Sequence, residues 1–244
     1  MPLLDFFPDD DYHEEGRSFL IMWLCRITDS LNQQLPDRRF IPYLRVRTWL
    51  KTEEQVASFE YGPPSIFDDD GRDTGSRYES DSPPNPILTI PWNFFDDLSL
   101  QIVDLSEGHD VCGVIRMVCR GNKASNEAEL AFAIECASFL RRGIGLVVID
   151  IIPRRRAVWA DHLGHLLQCA SRFAPVAKGT EMHVSVFRPA RRNQQSEMDV
   201  WHYPLSFGDS LPKVSLGIKG AMFLSVDLAT TYAKTISETR YVRS

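Results

Sequence analysis

Residues 111–152 constrain the fold of this chain more than any other stretch of the sequence. Residues 111–118 are apolar enough for a central strand, and residues 144–152 form a continuous apolar run of the kind found in strands buried on both faces. Between them, residues 127–142 carry apolar side chains at helical spacing, and Gly143 ends that helix. A strand, a helix and a strand in this order form a crossover unit, which joins parallel strands. The chain is therefore predicted to be an α/β protein with at least one parallel strand pair.

Helical spacing and strand alternation predict the remaining elements. The predicted helices span residues 18–35, 157–169 and 228–238, and the predicted strands span 40–50, 54–61, 87–91, 99–105, 182–187, 198–203, 214–218 and 221–226. Asp227 is expected to cap the last helix. We expect a core over residues 1–170 and a C-terminal β-rich extension over residues 171–244 that packs on the same core.

Charge is unevenly distributed along the 244 residues. Residues 1–15 hold six acids and no base, and residues 62–86 hold six acids against two arginines among several prolines and glycines. The second segment is predicted to be a long surface loop. The net charge of the two segments together is −10, whereas that of the whole chain is −6. The remaining residues therefore have a net charge of +4. That mildly basic body permits contact with nucleic acid without requiring it.

Composition predicts a cytoplasmic protein that does not contact membranes. No apolar stretch approaches the roughly 20 residues that span a bilayer. Residues 1–15 lack the basic segment that opens a signal peptide. The five cysteines form no CxxC pair and lie among apolar neighbours, which is typical of buried free thiols in a reducing compartment.

Three segments resemble an uncharacterised bacterial family related to the PD-(D/E)XK nucleases. They are GVIRMVCRGNK at residues 113–123, FAIECASFLRRGIGLVVIDII at residues 132–152 and a tail at residues 198–232 that contains MDVWHYPLSFGDSLPKVSLGIKG and SVDLATTY. The opening MPLLDFF, up to the first helix, also resembles that family. Members of that family show Ile-Glu-Leu-Val-Ser-Pro-x-Asn-Lys at a strand end, then a helix that leads into a Gly-Val-x-Leu-Val-Val-Asp strand. The resemblance covers most of the chain and is weakest over residues 62–86. It implies a restriction-endonuclease-like core with a mixed central sheet and the order α-β-β-β-α-β, followed by the β-rich extension and final helix.

The catalytic positions that the resemblance implies are degenerate in this chain. Such nucleases hold Mg²⁺ with two carboxylates on adjoining strands, and a lysine activates the attacking water. The residue that corresponds to the first acid is Gln55, and Arg116 stands at the position of the strand glutamate. Glu135 stands where the family often has a lysine in the crossover helix. An amide and a guanidinium that cannot lose its charge do not bind Mg²⁺.

Four residues define a candidate pocket in spite of these replacements. Asn122 and Lys123 match the family's Asn-Lys pair, and Asp150 ends the buried strand, where α/β folds place ligands. Glu60, in the predicted strand at residues 54–61, is the second carboxylate that a relocated metal site would need beside Asp150. The alternative is structural: Asn122 and Lys123 turn the chain, and Asp150 holds a loop through backbone amides.

Arginines outside the pocket are candidate contacts for nucleic acid. Arg154, Arg155 and Arg156 follow the buried strand, and Arg191 and Arg192 lie in a polar loop. The alternative interpretation of these residues is a solvated loop.

The replaced acids favour a non-catalytic protein, a pseudoenzyme that serves as a binding or assembly module through protein–protein interaction. Its expected partner is another protein or a second copy of the chain, and nucleic acid is an open alternative. No cofactor is expected. A metal-dependent nuclease with relocated catalytic residues, which alone requires Mg²⁺, and a nucleic-acid-binding protein without cleavage are the two alternatives.

Overall fold

The computed structural model describes residues 2–3, 15–35, 39–51, 56–59, 94–106, 108–153, 158–169, 182–192, 194–218 and 222–238. The described helices are α1 (Glu15–Asn32), α2 (Asn126–Arg141), α3 (Trp159–Leu166) and α4 (Leu228–Glu238). A 3-10 turn covers Arg120–Lys123. The described strands are β1 (Phe40–Lys51), β2 (Val56–Phe59), β3 (Phe94–Asp104), β4 (Asp110–Met117), β5 (Gly145–Asp150), β6 (Met182–Arg192), β7 (Gln195–Leu205), β8 (Lys213–Ile218) and β9 (Met222–Asp227).

A seven-stranded mixed sheet, in the order β2-β1-β3-β4-β5-β6-β7, forms the centre of the fold. Strands β4 and β5 pair in parallel and are joined through α2, whereas the other neighbouring strands pair antiparallel. Strands β8 and β9 form a separate antiparallel hairpin. The predicted α/β class, the parallel pair of the crossover unit and the final helix are confirmed.

Alternating side chains of β5 build two hydrophobic layers, one on each face of the sheet. Val147 and Ile149 point into a layer shared with α1, α4 and the β8–β9 hairpin. Leu146 and Val148 point into a layer shared with α2 and α3. A strand with apolar residues at every position is therefore needed here, because both faces are covered.

Local signals define the ends of the helices. The side chain of Ser125 accepts a hydrogen bond from the Ala128 amide, 3.2 Å away, and caps α2. The Asp227 carboxylate accepts one from the Thr230 amide at 2.9 Å and caps α4, as the sequence predicts. Gly143 follows α2 at a φ of 77°, a left-handed conformation that a residue without Cβ adopts readily.

Several element boundaries differ from the sequence-based expectations, including those of α1, which spans Glu15–Asn32 instead of residues 18–35, and among the described strands the differences are largest in three. Strand β3 begins at Phe94, five residues before the predicted start at residue 99. Strands β6 and β7 are longer than predicted and pair over their whole length. The residues from 62 to 91, with a predicted loop and strand, lie outside the described residues.

The predicted extension contributes to the central sheet. Strands β6 and β7 both follow residue 170, yet β6 pairs directly with β5. The sheet therefore draws on both predicted segments. The boundary between residues 170 and 171 stays a prediction, because residues 170–181 are not described.

Candidate functional site

Buried polar side chains gather on the sheet face that α2 and α3 cover, around the carboxyl ends of β4 and β5. This is the edge at which sheets with parallel strands place their ligands. The polar residues buried in this region are Asp97, Ser99, Arg116, Asn122, Lys123, Glu129, Asp150, His183 and Ser185. They form an arginine cluster, a lysine–aspartate network and a histidine pair.

The arginine cluster is centred on Arg116, which projects from β4 and is 1% exposed. Its guanidinium pairs with the Asp97 carboxylate from β3. On its other side, Nη1 lies 2.5 Å from the Glu135 carboxylate of α2. The guanidinium carbon also lies 4.3 Å from the centre of the Phe132 ring. One cation is thus held between two carboxylates and against an aromatic face.

Electrostatics keep Arg116 charged in spite of its burial. Burial by itself lowers the pKa of this guanidinium, but the carboxylates of Asp97 and Glu135 outweigh that effect and raise the pKa above its ordinary value. The guanidinium therefore stays a permanent cation, bound to the oxygens that a divalent metal needs.

Asp97 is the residue of this cluster that sequence reasoning missed. It follows Asp96 at the start of β3, where acidic residues argue against a strand. The available signal was alternation: Asp97, Ser99 and Gln101 alternate with Leu98, Leu100 and Ile102. Gln55, the expected counterpart of the first acid, lies outside the described residues.

Lys123 and Asp150 are in direct contact, in agreement with the prediction that they line one pocket. The Lys123 ammonium lies 2.7 Å from the Asp150 carboxylate and donates to the Ile152 carbonyl at 2.8 Å. The same carboxylate accepts from the Trp159 indole at 3.3 Å and from the Ile152 amide at 3.4 Å. Burial raises the pKa of Asp150, and Lys123 opposes that shift. This network ties the 3-10 turn after β4 to the end of β5.

Asn122 also has a structural contact. Its side-chain oxygen accepts a hydrogen bond from the Cys119 amide at 2.7 Å, which holds the 3-10 turn. Asn122, Lys123 and Asp150 are therefore all engaged with protein atoms. Glu60, the fourth residue of the predicted pocket, lies outside the described residues.

The histidine pair was also absent from the sequence-based candidates. His183 lies opposite Asp150 on β6, is 1% exposed and stacks on Trp159 with ring centres 5.4 Å apart. His202 of β7 lies 4.8 Å from His183 and hydrogen-bonds through Nδ1 to Ser185 Oγ at 3.0 Å. Burial, with smaller contributions from His202 and Lys123, lowers the pKa of His183 to about 3. His183 is therefore neutral at physiological pH.

The arginines proposed for nucleic acid differ in their contacts. Arg192 pairs with Glu197 at 2.9 Å and with Asp199 at 2.7 Å, and its hydrogen bonds with these acids raise the pKa of its guanidinium. Arg191 is exposed and lines a cavity of about 1060 Å³ beside β7. Arg154, Arg155 and Arg156 are not among the described residues.

Neither a metal-binding group nor a membrane-spanning helix is found among the described residues. Within that part of the chain, no group of three or more His, Cys, Asp or Glu side chains is placed to hold a metal ion. None of the helices described is long and apolar enough to cross a membrane.

Comparisons with protein-family models, with curated proteins and with solved structures find no match for this chain.

Proposed function

We propose that this chain is a restriction-endonuclease-like protein without catalytic activity, which acts as a binding or assembly module. The observation that carries the proposal is the Arg116 guanidinium between the carboxylates of Asp97 and Glu135. The described elements from α1 to β5 follow the order α-β-β-β-β-α-β, which has one strand more than the α-β-β-β-α-β order of that fold class.

The physical argument concerns competition for carboxylate oxygens. A nuclease of this class needs them to hold Mg²⁺, which neutralises the charge that builds on the phosphodiester. Here the oxygens of Asp97 and Glu135 already bind a cation that is covalently part of the chain and cannot lose its charge. The residues present do not fit a magnesium ion, and we assign no step to one.

The family resemblance adds a second argument, which is a reversal of charge. At the strand position the family has a glutamate and this chain has Arg116, whereas in the helix the family often has a lysine and this chain has Glu135. The two side chains form an ion pair in this structure. With the two charges exchanged, the side chains on the strand and on the helix still attract each other. The strand position, however, no longer carries the negative charge that would bind a metal ion.

The alternative nuclease requires free carboxylates near Lys123. Lys123 and Asp150 instead direct their charged atoms at one another and at backbone groups. This arrangement favours the structural interpretation of both residues.

Nuclease assays on the purified full chain test the proposal. Single- and double-stranded DNA and RNA are incubated with the wild type in Mg²⁺ and separately in Mn²⁺, and we expect no cleavage. Metal-dependent cleavage that disappears in a folded Asp150→Asn or Asp97→Asn variant contradicts the proposal. Cleavage that survives both substitutions indicates a contaminating nuclease. The assay is then repeated after further purification: loss of the cleavage supports the proposal, and cleavage that co-purifies with the chain contradicts it.

A further inference from the structure

Among the described strands, β7 is the last of the central sheet, and its outer edge pairs with none of them. Strand β7 spans 11 residues and pairs with β6 without a register shift, and no described strand lies on its other side. Long regular edge strands are templates for pairing with another chain, and proteins commonly protect them with lysine, proline or a bulge. Residues 195–203 of β7 contain neither lysine nor proline.

Pro204 establishes which backbone groups face that edge. Proline has no N–H, so inside a paired strand it is tolerated where the N–H would point away from the partner. Pro204 lies opposite His183 of β6. Because Pro204 has no N–H to donate, this is a non-hydrogen-bonded pair, in which the backbone groups of residue 204 face away from β6. Because backbone direction alternates, the N–H and C=O groups of Met198, Val200 and His202 also point to the free edge.

Exposed apolar side chains flank the same edge. Val200 is 37% exposed and Trp201, which points to the opposite face of the sheet, is 42% exposed. Phe223 of the β8–β9 hairpin is 57% exposed, and the Arg188 guanidinium carbon lies 5.4 Å from the Trp201 ring and 5.3 Å from the Phe223 ring. Tryptophan and arginine are the residues that most often dominate binding energy at protein interfaces.

We propose that two copies of this chain pair through β7 in antiparallel orientation about a two-fold axis, so that their sheets become continuous. The proposal rests on the assembly role proposed above and names its partner. The edge suits self-pairing because its acids have cationic partners in their own copy, which reduces repulsion between the copies: Asp199 pairs with Arg188 and Arg192. A two-fold axis makes the interface self-complementary, so both free edges are paired at once.

The charges of β7 and the length of strand that is paired together select the register of this pairing. An axis at Met198 places Glu197 opposite Asp199 of the second copy, and an axis at Asp199 places that acid opposite itself, which is unfavourable in both cases. An axis at Val200 places Asp199 opposite Trp201 of the second copy, beside the arginine stacked on that ring. This register pairs all of β7 and leaves Pro204 near the end, where a missing N–H costs least.

Light scattering coupled to gel filtration, over a range of concentrations, tests the dimer with the full chain. We expect twice the mass of one chain for the wild type and for the control Val200→Thr, which keeps a β-branched side chain of similar size. We expect one chain for Val200→Lys, because two lysines then face each other at the axis, while an exposed site tolerates the change in the monomer. Circular dichroism checks that both variants are folded.

Cysteine cross-linking tests the register. After mild oxidation, Val200→Cys should give a disulfide-linked dimer, since two copies of residue 200 lie opposite each other. The matched control Ser196→Cys should not, because its two copies lie roughly 26 Å apart along the strands, far beyond the ~7 Å limit between Cα atoms in a disulfide. The wild type gives the background from Cys25 and Cys169, which are only partly buried.

A wild type that is monomeric at every concentration overturns the inference, as does a dimer that Val200→Lys leaves intact. Equal cross-linking of the two cysteine variants overturns the register. The nuclease assays on the same preparations keep the two proposals distinct: a monomer that does not cleave disproves only the dimer, and a dimer that cleaves disproves only the loss of catalysis.

Discussion

At the scale of single residues, Arg116 neutralises two neighbouring carboxylates, as a bound metal ion would. Asp97 and Glu135 bring two negative charges to one region of the layer between sheet and helix, and Asp97 is almost wholly buried. Carboxylates so close repel each other unless a cation lies between them. A guanidinium supplies this positive charge permanently and without any dependence on metal supply.

Removal of that cation should therefore produce instability that a metal relieves. Arg116→Gln leaves a buried carboxylate unpaired, and we expect a loss of about 3–5 kcal/mol in the free energy of unfolding. Added Mn²⁺ should recover part of that loss in the variant and have no effect on the wild type, because binding to the folded state alone stabilises it. Thermal unfolding with and without Mn²⁺ measures both effects.

The matched control is Arg39→Gln, which breaks the ion pair between the exposed Arg39 side chain and Asp104, far from β7 in the sheet order. We expect it to cost about 0–1 kcal/mol and to be indifferent to Mn²⁺. An Arg116→Gln variant as stable as the wild type, or one that Mn²⁺ does not stabilise, contradicts the cation argument.

His183 makes the stability depend on pH. Its pKa is about 3 in the folded chain and about 6.5 when unfolded. The unfolded state therefore binds the extra proton first, so this contribution to stability is complete above pH 6.5 and is lost as the pH falls towards 3. Between these values we expect a slope of about 1.4 kcal/mol per pH unit.

Urea unfolding of the wild type and of His183→Leu at several pH values isolates this slope. The difference between the two stabilities should change with pH below 6.5 and stay constant above it. The control is His165→Gln, a histidine substitution at an exposed position of α3. A His183→Leu curve parallel to that of the wild type excludes the buried neutral histidine as the cause.

At the scale of elements, the β8–β9 hairpin depends on a glycine in the buried strand. A Cβ built on Gly145 would lie 2.1 Å from the Gly217 carbonyl oxygen of β8, so the hairpin and the sheet meet backbone to backbone. Gly145→Ala should force them apart and cost about 1–3 kcal/mol or more. Urea unfolding measures the loss.

Gly113→Ala is the informative control for this prediction. The Cβ there would approach Ile218 Cδ1 at 2.6 Å, which is the end of a flexible side chain rather than backbone. Its loss should be clearly smaller than that of Gly145→Ala. Equal losses mean that backbone contact is not what fixes the hairpin.

Elements with local signals were predictable from the sequence, whereas the residues of the site were only partly so. Helix α4 has its predicted bounds because periodicity and the Asp227 cap are encoded within a few residues. The crossover unit has the same advantage. Asp97 and His183 are polar residues in strands, and their roles arise from Arg116 and Trp159, which are distant in sequence. The periodicity of a sequence predicts which face of a strand is buried, but not which distant residue a buried polar side chain contacts.

At the scale of the whole molecule, both predicted segments contribute to the hydrophobic layer that contains α1 and α4. Trp23 of α1 is fully buried, donates a hydrogen bond from its indole to Thr231 Oγ1 at 3.0 Å and packs against Tyr232 with ring centres 5.2 Å apart. Strand β6 covers the far edge of β5. Neither contact exists in a chain that ends at residue 170.

A chain truncated after residue 170 should therefore fail to form a cooperative native structure. It lacks β6 to β9 and α4, so Trp23 and one edge of β5 are exposed to water, and the remaining apolar area is too small to offset conformational entropy. We expect no cooperative thermal transition and red-shifted tryptophan fluorescence. A chain that ends at residue 238 retains every described element and should unfold cooperatively in one transition, the same by fluorescence and circular dichroism. A folded, cooperative fragment 1–170 demonstrates instead that residues 171–244 are dispensable for the core.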